Sequence, residues 1–134
     1  MIDINTQMEG ERMNREEILN LPDKEIDRLI AEKWMRWKYA NNYYVPDCWI
    51  TNKSSSPTSF MPSTNISDAM EALDKVKVDK KVSRCIIEIT KEDYFVTVIS
   101  PDYFPNDRVI VKDKSLPKAI CLCICLYLNE KGEL

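Results

Sequence analysis

The side chains best suited to hold a small ligand lie in one stretch of the chain, residues 94–108. An aromatic ring can stack on a nucleobase, a guanidinium can pair with a phosphate, and an asparagine can bind a ribose or a base edge. The stretch supplies these groups at Phe95, Tyr103, Phe104, Asn106 and Arg108. In the competing interpretation, Phe95 belongs to the core and the segment PDYFPND is a turn plugged by its aromatic residues. The residue types therefore predict a nucleotide-like ligand here, with a purely structural role as the alternative.

Composition disfavours catalysis and metal binding. The 134 residues contain no histidine, which is the commonest general base at neutral pH and the commonest metal ligand. Cys121, Cys123 and Cys125 resemble a metal-binding tract, but on a helix Cys123 points away from the other two. No histidine completes a tetrahedral set. We expect buried, reduced thiols there, and no catalytic residue, bound metal or cofactor.

Charge and hydropathy limit the partners. The net charge is −3, so no overall basic field attracts a nucleic acid polymer. The apolar run 119–128 is too short to cross a bilayer, which needs about 20 residues. The polar N-terminus does not resemble a signal peptide. These features predict a cytoplasmic protein that does not insert into a membrane.

Periodicity predicts a long helix at residues 23–38. Its apolar residues fall three or four apart and form one stripe: Ile26, Leu29, Ile30, Trp34 and Trp37. Pro22 precedes the helix, and Asp23 can accept hydrogen bonds from its first amides. The two tryptophans could stack a base, but a stripe of this kind more often packs in a core or a subunit interface. Arg36 and Tyr39 lie off the stripe and are freer to meet solvent or a partner.

Capping residues predict three further helices. Asn14 can cap a short helix that ends at residue 19 or 20. Asn65 can cap a second helix, with Asp68 placed as in a capping box. Ser115 can cap a third, whose body, residues 119–128, is apolar nearly all round. The alternation of Cys with Leu or Ile in this body would also suit a strand, but the cap and Pro117 favour a helix. The helix after Asn65 has an apolar stripe made of Ile66, Ala69, Met70, Leu73 and Val76.

Apolar, β-branched segments predict an antiparallel hairpin formed by residues 84–90 and 94–100, followed by a third strand at 108–112. A short strand is expected at 48–51, inside the mostly irregular segment 40–64. That segment has aromatic anchors at Tyr43, Tyr44, Trp49 and Phe60. These elements predict one α+β domain at residues 13–134, preceded by a flexible N-terminal extension at 1–12. Met13 is a second possible translation start.

The order of several blocks resembles a known family. MNREEILNLPDKEIDRLIAEKWMRWK is followed by PSTNISDAMEALDKV, the hairpin and LPKAICLCICLYL. This order resembles the phage ABA sandwich domain family over residues 13–129. The resemblance implies a three-layer sandwich in which an antiparallel sheet lies between helices. It also implies that residues 1–12 are an extension.

The chain is also similar to the Thoeris anti-defence proteins of phages. Those proteins sequester the cyclised ADP-ribose signal made by host TIR enzymes, and they assemble as oligomers without cutting the ligand. The similarity implies a phage counter-defence protein in the cytoplasm of an infected bacterium. It would be a homo-oligomer that binds a cyclic ADP-ribose isomer or a cyclic oligonucleotide and is not an enzyme. No ligand-contacting residue is carried over.

Two other functions stay open. The chain could be a phage accessory protein that inhibits a host protein by direct contact, through the aromatic residues of segment 40–64. It could also be a nucleotide-cleaving enzyme, although the absence of histidine argues against that class.

We predict that Arg108→Ala abolishes ligand capture, because the phosphate would lose its charged partner. The melting temperature should stay nearly unchanged, because a ligand-binding arginine is not part of the core. Pure protein is incubated with candidate cyclic nucleotides, freed of unbound ligand and heated, and the released ligand is quantified. Unaltered capture by the variant would remove Arg108 from the site.

Overall fold

A computed structural model describes residues 13–40, 48–51, 58–100 and 108–134 of the chain. The α-helices in these ranges are α1 (Arg15–Leu19), α2 (Asp23–Leu29), α3 (Ile66–Asp74) and α4 (Leu116–Lys131). A π-helical turn, Ile30–Trp34, extends α2, and a 3₁₀ turn, Lys75–Val78, extends α3. The strands are β1 (Lys38–Ala40), β2 (Cys48–Ile50), β3 (Arg84–Ile89), β4 (Tyr94–Ile99) and β5 (Arg108–Asp113). The predicted α+β class is confirmed, whereas the predicted extension at 1–12 lies outside the described residues.

The helix α4 is the centre of the core. Every residue from 119 to 129 is buried, as the all-round apolar pattern predicted. The Ser115 hydroxyl accepts a hydrogen bond from the Lys118 amide, and Gly132 ends the helix in the left-handed conformation, with φ 76°. The helix packs against β4 and β5 on one side and against α1, α2 and α3 elsewhere. It is therefore enclosed by the sheet and the other described helices.

The three-stranded sheet has the order β3-β4-β5, with antiparallel neighbours throughout. The predicted hairpin and third strand are thereby confirmed. Val96 and Val111 are directly paired across β4 and β5, and both are buried. The Cys123 thiol lies 3.5 Å from the Val96 carbonyl oxygen, so this face of the sheet packs on α4. Because side chains alternate along a strand, Phe95 and Arg108 lie on the opposite face.

The second helix differs from its prediction. It begins after Pro22, which makes no side-chain capping bond, so Asp23 is not the cap. The helical segment ends at Trp34 rather than at residue 38. Its last turn widens, with the Met35 amide donating to the Ile30 carbonyl oxygen at 2.8 Å. Arg36 then adopts φ 62°, a left-handed conformation that stops a helix.

The tryptophan pair belongs to the hydrophobic interior, as its spacing favoured. Trp34 is buried, and its indole N–H donates to the Ala72 carbonyl oxygen at 2.8 Å. Its ring also meets Tyr127 edge-on, with centroids 6.2 Å apart. Trp37 is half-buried and packs edge-on against Phe60, at 4.8 Å.

The third helix turns most of its predicted face inward. Ala69 and Val76 are buried and Leu73 is half-buried, as predicted, whereas Ile66 and Met70 are each 45% exposed. Ala72, which was not in the predicted stripe, is fully buried, because a small side chain lets two helices approach closely. The Asn65 cap is confirmed, since its side chain accepts a hydrogen bond from the Asp68 amide. The capping box does not close, because the Asp68 carboxylate accepts instead from the Met61 amide.

We predict that Trp34→Phe lowers the free energy of unfolding by about 1–2 kcal/mol, through loss of one buried hydrogen bond and part of a buried ring. Trp37→Phe is the matched control. It should cost less than about 1 kcal/mol, because that ring is only half-buried and loses mainly an aromatic contact. Urea denaturation measures both values. Equal losses would show that the bond to Ala72 contributes nothing specific.

Candidate functional site

A cavity of about 440 Å³ lies between α2 and the hairpin formed by β1 and β2. Its volume falls in the range of about 300–1,000 Å³ that is typical of small-ligand sites. Charged side chains of α2 line one side of it and aromatic side chains line the other. The lining residues used below are Lys24, Asp27, Arg28, Tyr39, Trp49 and Phe60.

The aromatic side of the cavity depends on the pairing of β1 with β2. Tyr39 stands opposite Trp49 in the register, and the ring centroids are 5.2 Å apart at an angle of 64°. Trp49 is 4% exposed, and its backbone exchanges two hydrogen bonds of 2.8 Å with Thr58. Tyr39 is 36% exposed. Trp49 therefore acts as a fixed support, and Tyr39 is the ring that a ligand can reach.

Arg28 provides a positive charge beside this ring. The central carbon of its guanidinium lies 4.8 Å from the Tyr39 ring centroid, within cation–π range. Its Nε lies 3.0 Å from a carboxylate oxygen of Glu32, one turn further along the helical segment. Lys24 lines the same cavity, four residues before Arg28 and so on the same helix face. The cavity thus combines an accessible aromatic ring with two basic side chains and two carboxylates, those of Glu25 and Asp27.

Asp27 provides a half-buried carboxylate at the same cavity. It accepts a hydrogen bond from the Ser63 amide at 2.8 Å. Burial raises the pKa of this carboxyl above its ordinary value of 3.8, hydrogen bonds from Ser63 oppose the shift, and the nearby charges of Asp23 and Asp68 add to it. A carboxylate in this position can accept hydrogen bonds from hydroxyl or amine groups of a ligand.

The five residues predicted as a ligand site are only partly described. Tyr103, Phe104 and Asn106 lie outside the described residues. Phe95 is half-buried and pairs with Lys112, whereas Arg108 is exposed and pairs with Ile99. Four register steps separate these pairs, which is about 13 Å along the strand. Phe95 and Arg108 therefore share a sheet face but are not neighbours, and a ligand site within residues 94–108 stays a prediction.

Sequence reasoning missed the pairing of Arg28 with Tyr39. It placed Tyr39 off the apolar stripe and Trp49 among the aromatic anchors. Trp49 and Phe60 are indeed buried, and Tyr43 and Tyr44 lie outside the described residues. The missing information was the β1–β2 register, which brings Tyr39 onto Trp49. The signal available in the sequence was the polar face of the predicted helix, which carries Arg28 and is followed closely by Tyr39.

The cysteines of α4 are buried thiols, as predicted. Cys121, Cys123 and Cys125 are unpaired and fully enclosed. Burial raises the pKa of Cys125 to about 12, and it also raises the pKa of the other two thiols. Such thiols stay protonated and unreactive at neutral pH. Within the ranges that the structure describes, no three side chains form a metal-binding group, and no helix is long and apolar enough to span a bilayer.

Residues 28–123 match the family described as the Phage ABA sandwich domain, and the chain belongs to this family. Among solved structures, it is similar to a phage protein from Bacillus cereus, with a TM-score of 0.57 and 22% identity. That match covers 81% of this chain and 89% of the other. At this identity the likeness concerns the fold alone. No curated protein matches the sequence.

We predict that Asp27→Asn removes a pH-dependent loss of stability. The pKa of Asp27 is raised in the folded state, so ionisation of this carboxyl lowers the free energy of unfolding at pH values above the raised pKa. This destabilisation disappears as the pH falls through the raised pKa towards the ordinary value of 3.8. The wild type should therefore gain stability relative to Asp27→Asn on acidification. Urea denaturation of both proteins at stepped pH measures the difference. A wild type that loses stability relative to the variant would contradict the assignment.

Proposed function

We propose that this member of a phage protein family is a counter-defence protein that sequesters a host nucleotide immune signal. The candidate ligands are cyclic ADP-ribose isomers and cyclic oligonucleotides, and the protein would act as a homo-oligomer. The observation that carries the proposal is the pairing of Arg28 with the accessible Tyr39 ring at the 440 Å³ cavity.

The lining residues suit the three parts of such a ligand. The Tyr39 ring, which is 36% exposed, offers aromatic surface to a base beside Arg28, and its edge-on contact with Trp49 holds the ring in place. Arg28 and Lys24 can neutralise phosphate oxygens. Asp27 can accept a hydrogen bond from a ribose hydroxyl or an exocyclic amine. The contacts of Arg28 with Glu32 and Tyr39 orient its guanidinium beside the ring, which reduces the side-chain freedom lost on binding.

The chemistry of the chain supports binding rather than cleavage. There is no histidine to act as a general base at neutral pH. The one lining carboxyl with a raised pKa, Asp27, is engaged by the Ser63 amide. Sequestration needs only affinity. With the signal in the micromolar range, a nanomolar dissociation constant, equivalent to about −12 kcal/mol, leaves almost none of it free.

A second candidate function is inhibition of a host protein by direct contact. Met61, Ile66 and Met70 are apolar and between 45% and 50% exposed. The hydrogen bond from the Met61 amide to Asp68 holds this group close together at the start of α3. Flexible methionine side chains adapt well to partner surfaces, so this patch supports the alternative.

We predict that Arg28→Ala weakens capture by about 10- to 100-fold, as expected for loss of a charge-assisted contact. Lys33→Ala is the matched control, because it removes one exposed positive charge from the same helical segment but does not line the cavity. Each protein is mixed with cyclic ADP-ribose isomers or cyclic oligonucleotides, washed and heated. The released ligand is then measured and its chemical identity checked.

The possible outcomes separate the functions. Intact ligand released by the wild type and by Lys33→Ala, but not by Arg28→Ala, agrees with a sponge at this cavity. A dependence on Arg108 and not on Arg28 moves the site to the loop before β5. Steady formation of altered ligand would make the protein an enzyme. Absence of binding to every probe would overturn sequestration and leave the protein-contact function.

A further inference from the structure

The two edges of the three-stranded sheet differ. At the edge formed by β5, the Ile110 carbonyl oxygen accepts a hydrogen bond of 2.7 Å from the Arg15 guanidinium. At the edge formed by β3, no hydrogen bond joins the outer side of the strand to any described residue. An open edge of this kind is a template for pairing with another strand.

The hydrogen-bond pattern shows which residues of β3 face outward. The Thr90 amide donates to the Asp93 carbonyl oxygen at the hairpin turn, which fixes the alternation along the strand. Arg84, Ile86 and Glu88 therefore direct their backbone groups at β4. The backbone groups of Cys85, Ile87 and Ile89 point to the open edge.

The sequence of β3 is complementary to itself. In an antiparallel pair of two β3 strands centred on Ile86, Arg84 of each copy stands directly opposite Glu88 of the other. These are positions without backbone hydrogen bonds between the strands, where facing side chains come closest. Arg84 and Glu88 are both exposed and form no ion pair with a described residue. In the same register, Cys85 and Ile87 exchange backbone hydrogen bonds with the other copy.

Apolar surface follows the same edge. Ile89 at the end of β3 and Val78 after α3 are each 74% exposed. A groove of about 380 Å³ runs beside β3 on the α4 side of the sheet, lined by Leu73, Val76, Val82, Cys85 and Ile87 among others. In the register centred on Ile86, Ile87 of a second copy lies beside Cys85, at this groove.

We propose that β3 pairs with β3 of a second copy, antiparallel and centred on Ile86, to form a two-fold dimer with a continuous six-stranded sheet. This interface does not involve the cavity beside Tyr39, so ligand capture can be tested separately from it. A monomeric wild type that still captures ligand would overturn the dimer and the homo-oligomer of the proposed function, but not the sequestration itself.

Reversal of the charges tests the register. Arg84→Glu and Glu88→Arg each place like charges opposite one another twice in the dimer, and each should raise its dissociation constant about tenfold. The double swap, Arg84→Glu with Glu88→Arg, restores both opposite-charge pairs and should return the dissociation constant to the wild-type value. Sedimentation equilibrium of the full chain measures it, and circular dichroism verifies the fold. A monomeric wild type, or a double swap as weak as the single ones, overturns the proposal.

A cross-link provides an independent check. The Cα atoms of two facing residues at a position without backbone hydrogen bonds are about 4.5 Å apart, within reach of a disulfide. Ile86→Cys should therefore form a covalent dimer on mild oxidation. Ile110→Cys, at the opposite edge of the same sheet face, is the matched control and should stay monomeric on a denaturing gel, as should the wild type, whose Cys85 faces Ile87. Equal cross-linking of the two variants, or none in Ile86→Cys, overturns the register.

Discussion

The enclosure of α4 is the constraint on which the rest of the structure depends. A helix that is apolar all round is stable in water only when other elements cover every side, and burial of each large aliphatic side chain contributes about 1.5–3 kcal/mol. The sheet covers one side and the shorter helices cover the others. Two polar side chains near the C-terminal end of α4 have hydrogen-bond partners. The Asn129 side-chain amide donates to the Met13 carbonyl oxygen, and the Tyr127 hydroxyl donates to the Asp79 carboxylate. Elements that would be marginal alone are thus held by one buried helix.

This constraint also positions the candidate site. The fully buried Ile26 and Ile30 fix which face of the α2 segment is turned inward. Lys24 and Arg28 are each two residues away from that stripe, so the same rotation turns them outward to the cavity. The π-helical turn and the left-handed Arg36 then reverse the chain and bring Tyr39 back alongside Arg28. A wide turn of this type is common near functional sites, and here it closes the distance between a cation and a ring.

Features set by local interactions were more predictable from the sequence than features set by distant contacts, although the local cap at Asp23 was predicted and is not present. The caps at Asn14, Asn65 and Ser115 use residues within three positions, and all three are present. The end of the second helix was misplaced because Trp34 is fixed by the Ala72 carbonyl group, 38 residues away. The predicted inward face of α3 was right at Ala69, Leu73 and Val76. It was wrong at Ile66 and Met70, because hydrophobicity does not report how closely two helices approach. In the candidate site, the β1–β2 register had no local signal.

Buried contacts join the helical segment beside the cavity to the groove beside β3. The Trp34 indole, at the end of the segment that carries Arg28, is hydrogen-bonded to Ala72 of α3. The next residue of that helix, Leu73, lines the groove beside β3. Coupling between two sites requires an element with two alternative arrangements, and the close packing of Trp34 disfavours a second arrangement of these contacts. If the cavity holds a ligand and β3 forms the proposed dimer, we therefore expect the two cavities to bind independently.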